Sequence, residues 1–223
     1  MTFSIRSKTH LLFDLDGTLV DSAMDIAVAL NQALHALELP GATETQCRNW
    51  IGGGVPVLID RASRALDIDE QWHDRLTQVF LQHYADANGR HSQCYPGVEQ
   101  TLADLDRRGW QMAIVTNKPT ALAEALLKLR GIDRFFPLVI GGDTLPHKKP
   151  DPAPLRHACD QLAMSAEQCL MIGDSRADAG AAEAAGIDFV WTGYGYHRDD
   201  DERSLTPVAT LHTFPTLKEL LQC

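Results

Sequence analysis

Apolar residues between positions 20 and 90 recur at the spacing of helices rather than strands. In the first stretch they fall three or four residues apart, which predicts a helix from the candidate N-cap Ser22 to about Glu38. The capping-box pattern Thr43-x-x-Gln46 predicts the start of a second helix, which ends near Ile51. The same periodicity predicts helices over residues 55–66 and 69–87, and no strand is predicted between residues 20 and 90.

On both sides of this helical block, short apolar runs alternate with helical periodicity. Strands buried on both faces and alternating with helices predict an α/β fold with a doubly wound parallel sheet, a Rossmann-like core. Because the helical block follows the first strand, residues 20–90 are predicted to form an inserted all-helical domain, and residues 1–19 and 91–223 the core. The predicted strands cover residues 10–13, 112–116, 138–141, 169–173 and 189–191, and a short helix is predicted over residues 216–221.

Composition and charge narrow the class of protein. The 223 residues include 44% hydrophobic and 22% charged residues, the balance of a soluble globular protein. A formal net charge of −10 argues against nucleic acid or an anionic membrane as the partner. An acidic protein that handles an anionic substrate therefore needs local cations, either from lysine and arginine or from a metal ion.

The cysteines and the N-terminus indicate the compartment. The five cysteines are scattered and show no C-x-x-C spacing, which favours free thiols in a reducing environment over disulfides or a zinc site. No signal-peptide core and no apolar run long enough to span a bilayer are found. We therefore expect a cytoplasmic protein.

Two carboxylates follow the first predicted strand. If the strand continued through Asp14 and Asp16, its two-residue period would place both side chains on one side of the sheet. Two like charges held so close favour a shared proton or a bound cation. The alternative is an ordinary turn, because Asp-Gly commonly follows a strand, but a turn does not account for Asp14.

Other polar residues follow the later strands, at the edge where ligands of open α/β sheets bind. Asp174, together with Asp14 and Asp16, offers hard oxygen ligands that suit Mg²⁺, which also accepts a substrate phosphate. Thr116, Lys149 and the backbone amides after Gly17 are candidates for binding phosphoryl oxygens. Each segment alone has a structural explanation, as a strand-end hydroxyl, a helix N-cap or a surface charge. Their combination at the strand ends favours a site.

Four segments at these strand ends resemble, in order, the four sequence motifs of the haloacid dehalogenase superfamily. The resemblance runs from about residue 10 to residue 186. It implies a phosphatase with a Rossmann-like core and a helical cap inserted after the first motif. The segments are residues 13–18, 115–117, 149–150 and 173–178.

The resemblance also implies a role for each acidic residue. Asp14 is the expected nucleophile, which forms an aspartyl-phosphate, and Asp16 the expected general acid and base. The expected cofactor is Mg²⁺, held by Asp14, by Asp16 through its backbone carbonyl and by Asp174, with Asp178 behind them or acting through a water.

Substrate-binding residues follow from the same motifs. Lys149 is preferred over Lys148 as the phosphate anchor because it directly precedes Pro150. A noncatalytic regulatory module would lack a nucleophile, an acid, a phosphate anchor or a metal ligand, and the sequence retains all of them. The implied substrate-binding residues are Gly17, Thr18, Thr116, Asn117 and Lys149.

The expected partner is a small phosphorylated metabolite bound by a monomer or homodimer, with no nucleic acid and no membrane. Residues 50–54, 116–119 and 193–196 resemble bacterial members that hydrolyse 2-phosphoglycolate. Alternatives on the same scaffold are a sugar phosphate such as N-acetylmuramate 6-phosphate, pyrophosphate, and a phosphosugar mutase reaction. In the helical block, residues 52–54 have two interpretations: they offer backbone amides to a substrate carboxylate, or they form a turn between helices. Arg61 and Arg64 likewise either pair with a substrate carboxylate or are exposed structural residues.

Overall fold

The computed structural model describes residues 5–196 and 206–222. The strands are β1 (His10–Phe13), β2 (Val20–Asp21), β3 (Gln93–Cys94), β4 (Gln111–Val115), β5 (Leu138–Ile140), β6 (Cys169–Gly173), β7 (Asp188–Thr192) and β8 (Ala209–Leu211). The helices are α1 (Ala23–Ala36), α2 (Glu44–Trp50), α3 (Val55–Ala65), α4 (His73–Ala87), α5 (Val98–Arg107), α6 (Thr120–Leu129), α7 (Ala153–Gln161), α8 (Arg176–Ala185) and α9 (Thr216–Leu220). Short 3₁₀ turns cover Ile5–Ser7, Glu70–Trp72, Asp133–Phe135 and Ala166–Gln168.

The main sheet confirms the predicted fold class. Six parallel strands lie in the order β5-β4-β1-β6-β7-β8, so the chain builds the sheet outward from β1 first on one side and then on the other. Strand β1 pairs with both β4 and β6, with Leu12 in register with Ala113 and Met171. The carboxyl ends of these three strands are therefore neighbours at the point where the strand order reverses, which is where ligands bind in such sheets.

Alternating side chains of β1 supply both faces of the sheet. Leu11 and Phe13 pack in one hydrophobic cluster with residues of α5, α6 and α9. Leu12 points to the other face and packs with residues of α7 and α8. All three side chains are fully buried, which explains why this strand is continuously apolar instead of alternating with polar residues.

Helices α1 to α4 share a hydrophobic cluster of their own, which includes Leu30, Leu34, Leu76 and Phe80. Their positions confirm the helices predicted there, and the predicted capping box of Thr43 and Gln46 is present. Ser22 is the N-cap residue of α1, as predicted, but its side chain does not make the expected capping hydrogen bond. Among the described residues, no helix is both long and apolar enough to cross a membrane.

Two predictions about strands are also wrong. Residues 20–90 are not wholly helical, since Val20 and Asp21 pair antiparallel with Cys94 and Gln93 where the chain enters and leaves the helical block. The strand over residues 189–191 is not the last, because β8 pairs with β7 at the sheet edge. Both missed pairings involve strands of two or three residues, which are too short for a periodic pattern.

Candidate active site

The site lies at the carboxyl ends of the three central strands. Asp14, Thr116 and Asp174 are each the first residue after β1, β4 and β6, and strand pairing brings them together. The loop after β5 adds Lys149, and the first turn of α8 adds Asp178. All five side chains belong to buried residues. The structure thus gathers residues that are far apart in the sequence, as the strand-end pattern predicts.

Three of the predicted metal ligands form one acidic cluster. Carboxylate oxygens of Asp14, Asp174 and Asp178 all lie within 4.8 Å of one another. Burial, followed by the charge of Asp178, raises the pKa of Asp14 to about 7. Burial and the charge of Asp14 likewise raise the pKa of Asp174 well above its ordinary value. Concentrated negative charge of this kind is stabilised by a proton or by a cation.

Lys149 is the cation within this cluster. Its Nζ lies 3.1 Å from Asp14 Oδ1 in an ion pair and donates a hydrogen bond of 2.6 Å to Asp178 Oδ1. Burial alone would lower the pKa of Lys149, but Asp14 and Asp178 outweigh it and raise that pKa. Lys148 is only half-buried and lines a cavity beside the cluster. The structure therefore places Lys149, rather than Lys148, next to the expected nucleophile.

Asn117 contacts the protein backbone on two sides of the site. Its Nδ2 donates to Lys149 O at 2.9 Å and to Gly52 O, in the helical block, at 3.3 Å. The predicted substrate-binding residue therefore holds the Lys149 loop against the helical block. Thr116 is buried beside it, lines the cavity next to Asp14, and its Oγ1 accepts a hydrogen bond of 3.2 Å from the amide of Lys118.

Asp16 has partners different from those of Asp14. Strand β1 ends at Phe13, so the two-residue period does not extend to the carboxylate pair. The Asp16 carboxylate accepts hydrogen bonds from Ser22 Oγ at 2.5 Å and from Lys118 Nζ at 3.2 Å, and it is not part of the acidic cluster. The Asp16 side chain therefore lies outside the group of carboxylates that could hold a metal ion together.

The amides of Gly17 and Thr18, which are predicted to bind phosphate, make hydrogen bonds within their own turn in this structure. The Gly17 amide donates to Val20 O, and the Thr18 amide donates to Leu15 O. The Thr18 hydroxyl donates to Asp174 Oδ1 at 3.3 Å. A Cβ on Gly17 would lie 2.2 Å from Asp174 Oδ2, and its φ of +84° is one that other residues rarely adopt. Both residues thus shape the position of Asp174.

Tyr196 connects the acidic cluster to the start of the helical block. Its backbone amide donates to Asp174 Oδ2 at 2.6 Å. Its hydroxyl accepts hydrogen bonds from the amides of Ser22 (2.6 Å) and Ala23 (3.0 Å) and donates to Asp21 Oδ1 (2.8 Å). This hydroxyl satisfies the first amides of α1, which is why the Ser22 hydroxyl is available to Asp16.

Two cavities lie between the four helices and the sheet edge. A cavity of about 40 Å³ is lined by Asp14, Asp16 and Thr116 from the core and by apolar residues of α1, α3 and α4. A cavity of about 610 Å³ is lined by Lys149 and Asp174 from the core and by residues of α2 and α3. Residues of the acidic cluster therefore line both cavities.

Sequence reasoning assigned no role in the site to Lys118, Tyr84 or Tyr196. The lysine carries a usable signal, because it lies two residues after Thr116 at the same strand end. Tyr84 contacts Lys118 from α4, and Tyr196 lies in the turn after β7. Nothing in the local pattern of either tyrosine distinguishes it from a core aromatic residue.

We expect the metal-free protein to lose stability as the pH rises through about 7. The pKa of Asp14 is raised from 3.8 to about 7, so between these values the folded protein keeps a proton that the unfolded chain releases. Thermal unfolding in a chelating buffer should give a higher Tm at pH 5.5 than at pH 8, and this difference should shrink in Asp14→Asn. The same pH dependence of Tm in the wild type and in Asp14→Asn would contradict the raised pKa of Asp14.

Comparisons with known proteins agree with this arrangement. A model of the haloacid dehalogenase-like hydrolase family matches residues 11–192. The phosphoglycolate phosphatase of Colwellia psychrerythraea is 44% identical over 218 residues, which cover 96% of each chain. That of Nitrosococcus oceani is 40% identical over 220 residues, 97% of this chain and 98% of the other.

A solved structure is similar over nearly the whole chain. The crystal structure of a predicted phosphoglycolate phosphatase from Haemophilus somnus has a TM-score of 0.90 and 34% sequence identity, and the match covers 96% of this chain and 98% of that one. Together with the acidic cluster at the strand ends, these similarities settle the family and the class of enzyme. The chain belongs to the haloacid dehalogenase-like hydrolase family and is a phosphatase hydrolase.

Proposed function

We propose that the protein is a Mg²⁺-dependent phosphomonoesterase that hydrolyses 2-phosphoglycolate to glycolate and phosphate through an aspartyl-phosphate on Asp14. The observation that carries this proposal is the environment of Asp14 Oδ1. This buried oxygen accepts no hydrogen bond among the described residues, and Lys149 Nζ lies 3.1 Å away in an ion pair. A buried carboxylate oxygen that is paired with a lysine is suited to attack an anionic phosphoryl group.

The charges around Asp14 fit a divalent cation. Even with Asp16 protonated for its role as acid, the carboxylates of Asp14, Asp174 and Asp178 outnumber the ammonium groups of Lys118 and Lys149 by one. Hard oxygen ligands are those that Mg²⁺ prefers, and Asp14, Asp174 and the Asp16 carbonyl are the proposed holders. Asp178 accepts hydrogen bonds at both carboxylate oxygens, from Lys149 and from Ser175, which favours a supporting position behind them. Bound Mg²⁺ would offset the repulsion between Asp14 and a phosphate dianion.

In the first step, Asp14 attacks phosphorus and the bond from phosphorus to the ester oxygen breaks. Asp16 gives its proton to the departing alkoxide, and in the second step takes a proton from the water that attacks the aspartyl-phosphate. Lys149 and Thr116 stabilise the phosphoryl oxygens as the negative charge on these oxygens changes during the reaction. Phosphate then leaves and Asp14 is again a carboxylate.

The smaller cavity supports a small leaving group. Its volume of about 40 Å³ corresponds to about three water positions, which suits a group the size of a carboxymethyl, as in glycolate. Relatives at 40–44% identity over nearly the whole chain are named phosphoglycolate phosphatase. The larger cavity, lined by Arg61, Lys148 and Arg176, favours a sugar phosphate as the second candidate.

We further propose that residues 20–90 act as a cap that closes over the core. The paired strands β2 and β3, where the chain enters and leaves the helical block, are the proposed hinge. Closure would exclude water from the aspartyl-phosphate until the leaving group has gone. The proposal includes a cytoplasmic location, in keeping with the free thiols of Cys47, Cys94, Cys159 and Cys169.

A substrate panel tests the proposal. We expect 2-phosphoglycolate to give the highest kcat/KM with Mg²⁺ present, and a chelator to remove the activity until Mg²⁺ is restored. The panel should include N-acetylmuramate 6-phosphate, pyrophosphate and a sugar bisphosphate. A higher kcat/KM for any of these, or turnover that survives chelation, would contradict the proposed substrate or the proposed cofactor respectively.

A further inference from the structure

Lys118 lies where the helical block meets the core, and the mechanism above gives it no task. Its Nζ donates to Asp16 Oδ1 at 3.2 Å and also to the hydroxyl of Tyr84 on α4. The ammonium is 4.4 Å from the centre of the Tyr84 ring, a cation–π distance. Lys118 and Tyr84 are both buried, at 4% and 3% exposure, so the contact is shielded from solvent.

The wall of the smaller cavity, as far as the described residues form it, contains one cation. The helical block contributes apolar side chains to this wall, among them Ile26, Val55, Leu58 and Phe80, together with the Tyr84 hydroxyl. Among the described residues that line it, Lys118 carries the positive charge. An anionic group in such an enclosure costs much free energy unless a cation pairs with it.

Lys118 has hydrogen-bonding capacity for a ligand. An ammonium group has three donors, whereas among the described residues Asp16 and Tyr84 are the two groups that accept from it. Lys149 is not among the residues that line this cavity, and it is already shared by Asp14 and Asp178. A negative charge in the leaving group therefore has Lys118 as its nearest available cation.

We infer that Lys118, assisted by the Tyr84 hydroxyl, is the specificity-determining residue that binds a carboxylate on the leaving group of the substrate. The inference rests on the proposed function and extends it to substrate selection. In 2-phosphoglycolate one methylene separates the carboxylate from the ester oxygen. A carboxylate bound to Lys118 thus brings the ester oxygen toward Asp16, the residue to which the same ammonium donates.

The inference predicts a change in preference between two substrates that differ in the carboxylate. These are 2-phosphoglycolate and ethyl phosphate, which share the two-carbon skeleton. In Lys118→Met the ratio of their kcat/KM values should fall on the order of 10- to 100-fold, mostly through a higher KM for 2-phosphoglycolate, as expected for one lost charge-assisted hydrogen bond. Tyr84→Phe keeps the ring and should lower the ratio about threefold.

Matched controls separate binding from general damage. Lys148→Met removes a lysine that lines the larger cavity, and the ratio should stay at the wild-type value. If Lys118→Met does not fold, Lys118→Gln removes the same charge and gives the same test. An equal loss of kcat/KM for both substrates would overturn the inference, because Lys118 would then act only by positioning Asp16.

A second pair of substrates distinguishes failure of the inference from failure of the proposed function. A wild type that ignores 2-phosphoglycolate but prefers 3-phosphoglycerate to glycerol 3-phosphate, with a preference that Lys118→Met removes, refutes the proposed substrate and supports the role of Lys118. A wild type that hydrolyses phosphoesters with no preference for the carboxylate in either pair overturns the inference.

Discussion

Replacing Asp14 with asparagine is expected to abolish turnover, with a fall in kcat on the order of 10⁵-fold, as found when an enzyme loses its nucleophile. The amide keeps the size of the side chain but provides no anionic oxygen to attack phosphorus. The neighbouring carboxylates of Asp16, Asp174 and Asp178 each accept hydrogen bonds from other side chains, so their positions are fixed by contacts that Asp14 Oδ1 does not make. Phosphate release from 2-phosphoglycolate at saturating substrate and Mg²⁺ measures the effect.

The control for this variant removes a carboxylate elsewhere. Asp106 is exposed on α5, and Asp106→Asn should leave kcat at the wild-type value. The Asp14→Asn protein should also retain its circular dichroism spectrum, which separates lost chemistry from lost folding. Residual phosphatase activity within tenfold of the wild type would exclude Asp14 as the nucleophile.

Lys149→Met is expected to reduce both stability and activity. The Lys149 ammonium is 2% exposed and contacts Asp14 and Asp178, so its removal leaves two buried carboxylates without a cation. Breaking a buried ion pair by deleting one partner costs about 3–5 kcal/mol. Because the same ammonium is proposed to stabilise the phosphoryl oxygens, kcat should fall on the order of 10²- to 10³-fold. Urea unfolding in a chelating buffer at pH 8 and steady-state kinetics measure the two effects.

Lys148, the neighbouring lysine, provides the control variant for Lys149→Met. Lys148 is half-buried beside the larger cavity, and Lys148→Met should change the free energy of unfolding by less than about 1 kcal/mol. Addition of Mg²⁺ should restore part of the stability of Lys149→Met, since a divalent cation offsets the same carboxylates. If Lys148→Met instead shows the larger losses, the phosphate anchor is misassigned.

The core of the fold is predictable because its signals are local. Leu11, Leu12 and Phe13 form a continuous apolar run that is typical of a strand buried on both faces, and β1 is central in the sheet. Asp14, Thr116 and Asp174 directly follow such runs, and parallel strands bring their carboxyl ends together. The location of these residues in the fold can therefore be predicted from the apolar runs alone, without knowing any side-chain contact.

Other parts of the site depend on contacts between distant segments. Lys118 meets Tyr84 only because α4 packs over the sheet edge, and Tyr196 reaches Ser22 across 174 positions in the chain. The amides after Gly17 looked available for phosphate, but a tight turn uses them. No hydrophobic period encodes such contacts, since they depend on how the assembled elements pack.

The central claim is that phosphate passes through Asp14, and chemical trapping tests it most directly. Borohydride added during turnover of 2-phosphoglycolate reduces an acyl phosphate to an alcohol, which converts the modified aspartate to homoserine. Peptide mass spectrometry of the trapped protein should find homoserine at position 14, dependent on substrate and absent from Asp16. Active turnover with no reduced residue at position 14, or with the reduced residue elsewhere, would contradict the account.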